Sequence, residues 1–151
     1  STLDFARTYL FEPMGIEKSD WTILSPEERF NNGGAGLSIS PHSMFTIGNL
    51  MLNGGKWNQV QVVPAEWVAR CLSIQNVTHN AIPYGTHYGY LWWIHPNPAL
   101  AVFEARGSGG HLLSIIPSLD MVIVVTGVGG GDMPDPDFVV HEYIIKAATD
   151  E

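Results

Sequence analysis

The chain has 151 residues and a mass of 16.6 kDa, a length that fits one domain with a hydrophobic core. Hydrophobic residues make up 45% of the sequence and charged residues only 15%, which excludes a disordered chain. Seven Lys and Arg against fifteen Asp and Glu give a net charge of −8, which argues against a nucleic-acid partner. The single cysteine, Cys71, excludes an internal disulfide framework and a cysteine-based zinc site.

The first predicted element is a helix over residues 2–11, with Ser1 or Thr2 as its N-cap and with Pro13 and Gly15 ending it. Its expected apolar stripe consists of Leu3, Phe5, Ala6, Tyr9 and Leu10. The chain opens on this helix without an initiator methionine, and we therefore expect further sequence upstream of it.

Residues 16–36 are expected to be irregular, apart from a short helical turn at 25–28. The strongest helical pattern follows over residues 41–53, where Ser40 is the N-cap and Pro41 occupies the first helical position. Its predicted apolar face consists of Met44, Phe45, Ile47, Gly48, Met51 and Leu52. A third helix is predicted over residues 64–73, with the inward-facing side chains Trp67, Val68, Cys71 and Leu72.

From Tyr88 onward the hydrophobic period falls from 3.6 toward 2, which indicates β-structure. Strands are predicted at Gly89–His95, Leu100–Arg106, His111–Pro117 and Met121–Gly127. Their short connections require antiparallel neighbours, so the fold class is α+β with an antiparallel sheet of about four strands. No apolar run approaches the roughly 20 residues of a membrane span.

A last helix is predicted over residues 137–148. Its expected apolar stripe consists of Phe138, Val139, Tyr143, Ile144 and Ala147.

The residue patterns alone give few chemical signals. The six histidines show neither helical i, i+4 spacing nor an H-E-x-x-H motif, so scattered surface or capping histidines are expected rather than a metal site. The Gly107–Gly110 turn joins two strands and lacks G-K-[ST], which disfavours nucleotide binding. Cys71 lies on an apolar stripe and is expected to be an inert core residue.

Arg106 leaves two possibilities open. It ends an apolar strand and opens the glycine-rich turn, and a cation beside free backbone N–H groups forms an anion site. Alternatively, Arg106 is a strand-terminal residue that is solvated or paired with Glu104.

Several blocks, read in chain order, resemble the serine β-lactamase-like and penicillin-binding-protein-like hydrolases, in the branch of the class C β-lactamases and related esterases. The blocks are Phe5–Ile16, Asn32–Ser40, Leu50–Trp57, Val63–Val68, Tyr88–Ile94, Gly107–Pro117 and Asp120–Val125. Each block alone is weak, but their shared order covers nearly the whole chain and makes the resemblance fairly specific. It implies a single partial domain, 1–151, that lacks the N-terminal strands and the nucleophile helix. Residues 1–75 resemble the helical region of the family fold, and residues 88–151 resemble its late strands and closing helix.

The family's chemistry uses three motifs, of which this chain has a counterpart to only one. S-x-x-K supplies the nucleophile, Y-x-N or S-D-N assists proton transfer, and a K-T-G-like strand supplies an oxyanion-hole N–H. No Ser precedes a Lys by three residues, and no Tyr or Ser precedes an Asn by two. The third motif is degenerate: Ala105, Arg106 and Gly107 stand where the family has Lys or His, Thr and Gly.

By this resemblance the backbone N–H of Ser108, next to Gly107, is the candidate oxyanion donor. Arg106 is the candidate cation for a substrate carboxylate, and Gly109 and His111 are candidate substrate-binding residues. The missing Lys disfavours β-lactam recognition and favours ester, amide or peptide substrates. The resemblance requires no cofactor and no metal.

Two functions therefore stay open at this point. The first is the C-terminal portion of a serine hydrolase with a small-molecule acyl substrate, inactive on its own. The second is a catalytically inactive binding module that keeps the same fold. S-x-x-K and Y-x-N motifs upstream of Ser1 would favour the first, and an open reading frame that starts near Ser1 would favour the second. An incomplete sheet also predicts an unpaired apolar strand edge, which would bind the N-terminal part of the protein or a second copy by strand exchange.

Overall fold

The computed structural model describes residues 1–24, 27, 31–82, 84–97, 99–127 and 135–149. The helices are α1 Thr2–Ala6, α2 Pro41–Leu52, α3 Ala65–Cys71, α4 Pro136–Val139 and α5 Lys146–Thr149. The strands are β1 Ser19–Trp21, β2 Leu37–Ile39, β3 Lys56–Trp57, β4 Val60–Gln61, β5 Asn76–Ile82, β6 Gly85–Tyr88, β7 Trp93–His95, β8 Val102–Gly107, β9 His111–Ile116 and β10 Met121–Val125. Within the described residues, no helix is both long and apolar enough to cross a membrane.

The main sheet is antiparallel, as predicted, and has the strand order β10-β9-β8-β7-β6-β5. Within the described part of the chain it contains six strands instead of about four, because β5 and β6 precede the strands that the sequence predicted. These two strands gave no alternating apolar signal: at the sheet edge Asn76 and Val77 are both exposed. The predicted strand over Gly89–His95 is shorter in the structure and begins at Trp93.

Each face of the late strands packs against a different helix. On one face, Leu113, Ile115 and Val122 pack with α2 side chains that include Met44 and Ile47. On the other face, the apolar residues Val102, Leu112, Ile116, Ile123, Val140 and Ile145 form a second core beneath the C-terminal helix. Because successive strand residues point to opposite faces, the side chains of neighbouring β8 residues lie in different environments, one on each face of the sheet.

Helix α2 forms where the sequence predicted it, and it lies close to the sheet. The Ser40 side chain accepts a hydrogen bond from the Ser43 N–H and caps the helix, whose first residue is Pro41. A Cβ atom added at Gly48 would lie 2.5 Å from the Val122 Cγ1 atom and 2.8 Å from the Leu113 Cδ1 atom. The absence of a side chain at Gly48 therefore sets how closely helix and sheet approach.

Residues 1–75 are not purely helical, because two small antiparallel pairs interrupt them. Strand β1 pairs with β2, so the segment 16–36 is less irregular than predicted. Strand β3 pairs with β4 in a second hairpin. Apart from Glu27, the predicted helical turn at 25–28 lies outside the described residues.

The N-terminal helix buries only part of its predicted apolar stripe. Leu3 and Ala6 are buried, whereas Phe5 and Tyr9 are 65% and 62% exposed. Helix α1 continues through a π-helical turn, Arg7–Phe11, whose i to i+5 hydrogen bonding breaks the 3.6-residue period, and Phe11 at its end is buried.

The C-terminal helix shows the same effect. The π-helical turn Val140–Ile145 joins α4 to α5, and both of its end residues are buried. Phe138, Tyr143 and Ile144, predicted to face the core, are exposed. Phe45 of α2 and Trp67 of α3 are also more exposed than predicted, at 43% and 48%. Cys71 is buried as predicted, and burial raises the pKa of its thiol.

Candidate functional site

A cleft of about 690 Å³ opens where the end of β8 faces the segment 34–39. The start of α2 and residues 105–108 form its walls, together with His111 and Thr126. Four of the five predicted site residues line this cleft, namely Arg106, Gly107, Ser108 and His111. The fifth, Gly109, belongs to the same turn but not to the cleft wall.

The β8–β9 turn places these residues at the rim of the cleft. Gly107 pairs with His111 across the turn, and Gly109 and Gly110 have φ angles of 90° and 81°, which favour glycine. The sequence pattern did not settle which side His111 takes; in the structure its side chain is exposed and lines the cleft. Among the described residues no hydrogen bond joins the Ser108 hydroxyl to His111, so the pair is not an activated nucleophile.

The Arg106 side chain turns away from the cleft. Ala105 packs with the α2 cluster, so the alternation of β8 directs Arg106 to the opposite face. There its guanidinium lies 2.6 Å from the Glu104 Oε2 atom and 2.5 Å from the Asp137 Oδ2 atom. Of the two possibilities for Arg106, the structure shows the ion-paired one, and this pairing leaves the guanidinium poorly placed to meet a substrate carboxylate in the cleft.

Glu104 is the centre of a buried polar network that the sequence did not reveal. Its side chain is completely buried and accepts hydrogen bonds from four residues. Oε1 accepts from the Ser114 hydroxyl at 2.9 Å and from His141 Nε2 at 2.9 Å. Oε2 accepts from Arg106 and from His95 Nε2, the latter at 3.2 Å. An ionised carboxylate only accepts, so both imidazoles donate from Nε2.

The network overturns the expectation that all six histidines are scattered. His95 on β7 and His141 on the C-terminal helix lie with their ring centroids 4.6 Å apart. Tyr84 stacks on His141 at 4.4 Å with an interplanar angle of 6°. His95, Glu104 and His141 each offer one metal-ligating atom, all within 4.8 Å of one another. No spacing rule detects this group, because its histidines are far apart in sequence.

Burial and hydrogen bonding shift three pKa values in this network. For Glu104, burial opposes ionisation, but hydrogen bonds from His141 and Arg106 outweigh it and lower the pKa to about 2. Burial lowers the pKa of His95 to about 4, although the Glu104 charge opposes this shift. Burial also raises the pKa of Asp137 to about 6 against the opposing charge of Arg106. At neutral pH Glu104 is therefore ionised and His95 is neutral.

We expect Glu104→Gln to lower the free energy of unfolding by about 3 to 5 kcal/mol, because it leaves Arg106 without its most buried partner. Urea unfolding in a chelator-containing buffer measures the effect. The matched control is Glu17→Gln at an exposed position, with an expected change within about 0.5 kcal/mol. Equal stabilities of the two variants would contradict this role of Glu104.

The pKa of His95 predicts how stability depends on pH. The unfolded chain protonates His95 near the usual pKa of 6.5, whereas the folded chain does so near 4, so the stability that His95 contributes is lost as the pH drops through this window. Asp137, whose pKa is raised to about 6, acts in the opposite direction in the same window, so the prediction concerns the difference between variants. With a discount for partial solvent screening we expect His95 to contribute about 2 kcal/mol. Urea unfolding at a series of pH values should give the same pH profile in the wild type and in His42→Gln, an exposed control. As the pH drops through the window, His95→Gln should lose about 2 kcal/mol less stability than the wild type. An unchanged profile in His95→Gln would refute the assignment.

The fold is shared with solved structures of other proteins. A Bacillus anthracis protein described as a 6-aminohexanoate-dimer hydrolase superposes with a TM-score of 0.73 at 24% identity, over 95% of this chain and 37% of its own. A Bacteroides dorei DSM 17855 protein described as a β-lactamase superposes with a TM-score of 0.68 at 14% identity, over 93% of this chain and 49% of its own. No family model matches the sequence. The chain thus spans less than half of either neighbour and has a β-lactamase-like fold.

Proposed function

We propose that this chain forms one wall of the acyl-transfer site of a serine hydrolase that acts on an ester, amide or β-lactam through an acyl-serine intermediate. The Ser108 N–H donates to the oxyanion, and Gly107 and Gly109 shape the turn that presents it. The nucleophile and its base come from S-x-x-K and Y-x-N motifs outside these 151 residues. His111 lies on the substrate side of the turn.

The observation that carries this proposal is a free donor at the rim of a cleft. Ser108 lines the cleft, and within the described residues no acceptor receives its backbone N–H. A preorganised N–H in a concave site is what stabilises a developing oxyanion. The β-lactamase-like fold makes acyl transfer the relevant chemistry, and Gly36 and Leu37 form the facing wall against which an acyl group would lie.

The other candidate is an inactive binding module that uses the same cleft. The absence of S-x-x-K and Y-x-N from this sequence favours it. Under this alternative the free N–H would bind an anionic or carbonyl group without turnover. If both motifs occur in the coding sequence upstream, the hydrolase is the favoured function.

The free edge of the main sheet favours the proposal that this chain has a partner. Strand β10 lies at one end of the main sheet, and all five of its residues, Met121–Val125, are apolar. Side chains on both of its faces pack against core clusters, yet only β9 pairs with its backbone among the described strands. We propose that a further strand pairs there, from the N-terminal part of the same protein or from a second copy.

The hydrolase proposal is tested with a fluorophosphonate probe, p-nitrophenyl esters and nitrocefin. We expect no labelling and no hydrolysis from the 151 residues alone, and covalent labelling of a serine in them would refute the proposal. In a longer protein that also contains S-x-x-K, Ser108→Pro removes the N–H and should lower kcat by about 10²–10³-fold. Ser108→Ala keeps the N–H and is the matched comparison; equal losses in both variants would exclude a backbone role.

Light scattering tests the strand-pairing proposal. We expect the mean mass of the purified chain to rise with concentration, because the free β10 edge pairs with another copy. Addition of an N-terminal fragment of the same protein should give a heterodimer and suppress this self-association. A monomer at every concentration, with no bound chain, would contradict the proposal.

A further inference from the structure

We propose that His95, Glu104 and His141 form a binding site for a divalent transition metal, of which Zn²⁺ is the best match. The site lies beneath the C-terminal helix, on the face of the sheet opposite the cleft. It does not depend on the hydrolase proposal, because none of its three residues lines the cleft.

The donor set and its spacing fit zinc. Two imidazole nitrogens and one carboxylate oxygen are a common set of protein ligands for zinc, with a fourth position left to water. Zinc bonds of about 2.0–2.2 Å place tetrahedral ligand atoms about 3.3 Å apart. Here His141 Nε2 lies 2.9 Å from Glu104 Oε1, and His95 Nε2 lies 3.2 Å from Oε2. The three ligand atoms lie within 4.8 Å of one another, so the imidazoles must move closer together around a bound ion.

Binding balances in protons without a co-reactant. In the metal-free protein each imidazole donates from Nε2 to Glu104. When the Nε2 lone pair of His95 or His141 binds the ion, the bound ring carries its one remaining proton on Nδ1. Two N–H···O hydrogen bonds are exchanged for two N–metal bonds, and any proton in excess of one per ring passes to solvent water.

The charges around the site are compatible with a bound cation, although Arg106 is itself positively charged. Glu104 and Asp137 carry two negative charges and Arg106 carries one positive charge. These three side chains therefore have a net charge of −1. Asp137 lies 2.5 Å from the Arg106 guanidinium on the side away from Glu104, so Arg106 keeps a carboxylate partner when Glu104 binds an ion. Ser114 still donates to Glu104 and holds its orientation.

A metal here would connect three elements, because its ligands come from β7, β8 and the C-terminal helix. Binding to the folded state alone would raise the thermal stability of the protein. His95 and His141 keep 16% and 12% of their side-chain surface exposed, so the site is not fully closed to solvent.

The test uses protein freed of any affinity tag and treated with chelator, titrated with Zn²⁺ by calorimetry and by thermal unfolding. We expect one Zn²⁺ per chain and a midpoint that rises by several degrees on binding, reversed by chelator. His95→Gln and His141→Gln should each weaken binding by about tenfold or more. His42→Gln, at an exposed position on α2, should bind like the wild type. Absence of binding, or unchanged affinity in His141→Gln, would overturn the proposal.

A second measurement covers the case in which a histidine variant fails to fold. X-ray absorption at the zinc edge of the wild-type complex counts its ligands directly, and we expect two imidazoles and one or two oxygens. Fewer than two imidazoles would overturn the site even if zinc binds. Because both measurements monitor the metal and not hydrolysis, their outcome is independent of whether the hydrolase proposal holds.

Discussion

The constraint on which this structure most depends is the complete burial of the Glu104 carboxylate. A buried charge is tolerated only when hydrogen bonds replace its water, and here the donors come from β7, β8, β9 and the C-terminal helix. If any of these elements moved away, the Glu104 carboxylate would be exposed to solvent or would lose a hydrogen-bond donor. The requirement thus fixes the C-terminal helix on the sheet, and it explains why this helix turns His141 inward and leaves Tyr143 exposed.

Strand β8 connects this buried network to the cleft. Its alternation sends Glu104 and Arg106 to one face and Ala105 to the other, while Gly107 and Ser108 continue into the turn at the rim. The ion pairs of Arg106 lie on the face of the sheet opposite the cleft. They therefore hold the backbone that carries the Ser108 N–H without entering the cleft. Under the proposed function, such rigidity preorganises the Ser108 N–H for an oxyanion.

Local signals predicted the parts of the fold that depend on local physics. Ser40 and Pro41 mark the start of α2, and the apolar run Met121–Val125 marks β10, because capping and hydrophobic runs are encoded within a few residues. Two kinds of feature were not predicted from the sequence. The π-helical turns shifted the buried faces of both terminal helices, which a 3.6-residue period cannot anticipate. The His95–His141 contact joins residues distant in sequence, and only the packing of the helix on the sheet creates it.

The close contact at Gly48 links the core to the size of the cleft. Gly48 lies about 10 Å along the α2 axis from Pro41, which lines the cleft, and its missing side chain lets the helix rest directly on Val122 and Leu113. None of these three core positions touches the cleft. A bulkier residue at any of them would lift α2 and widen the cleft, unless another became smaller. Substitutions that never touch the cleft can therefore change its width.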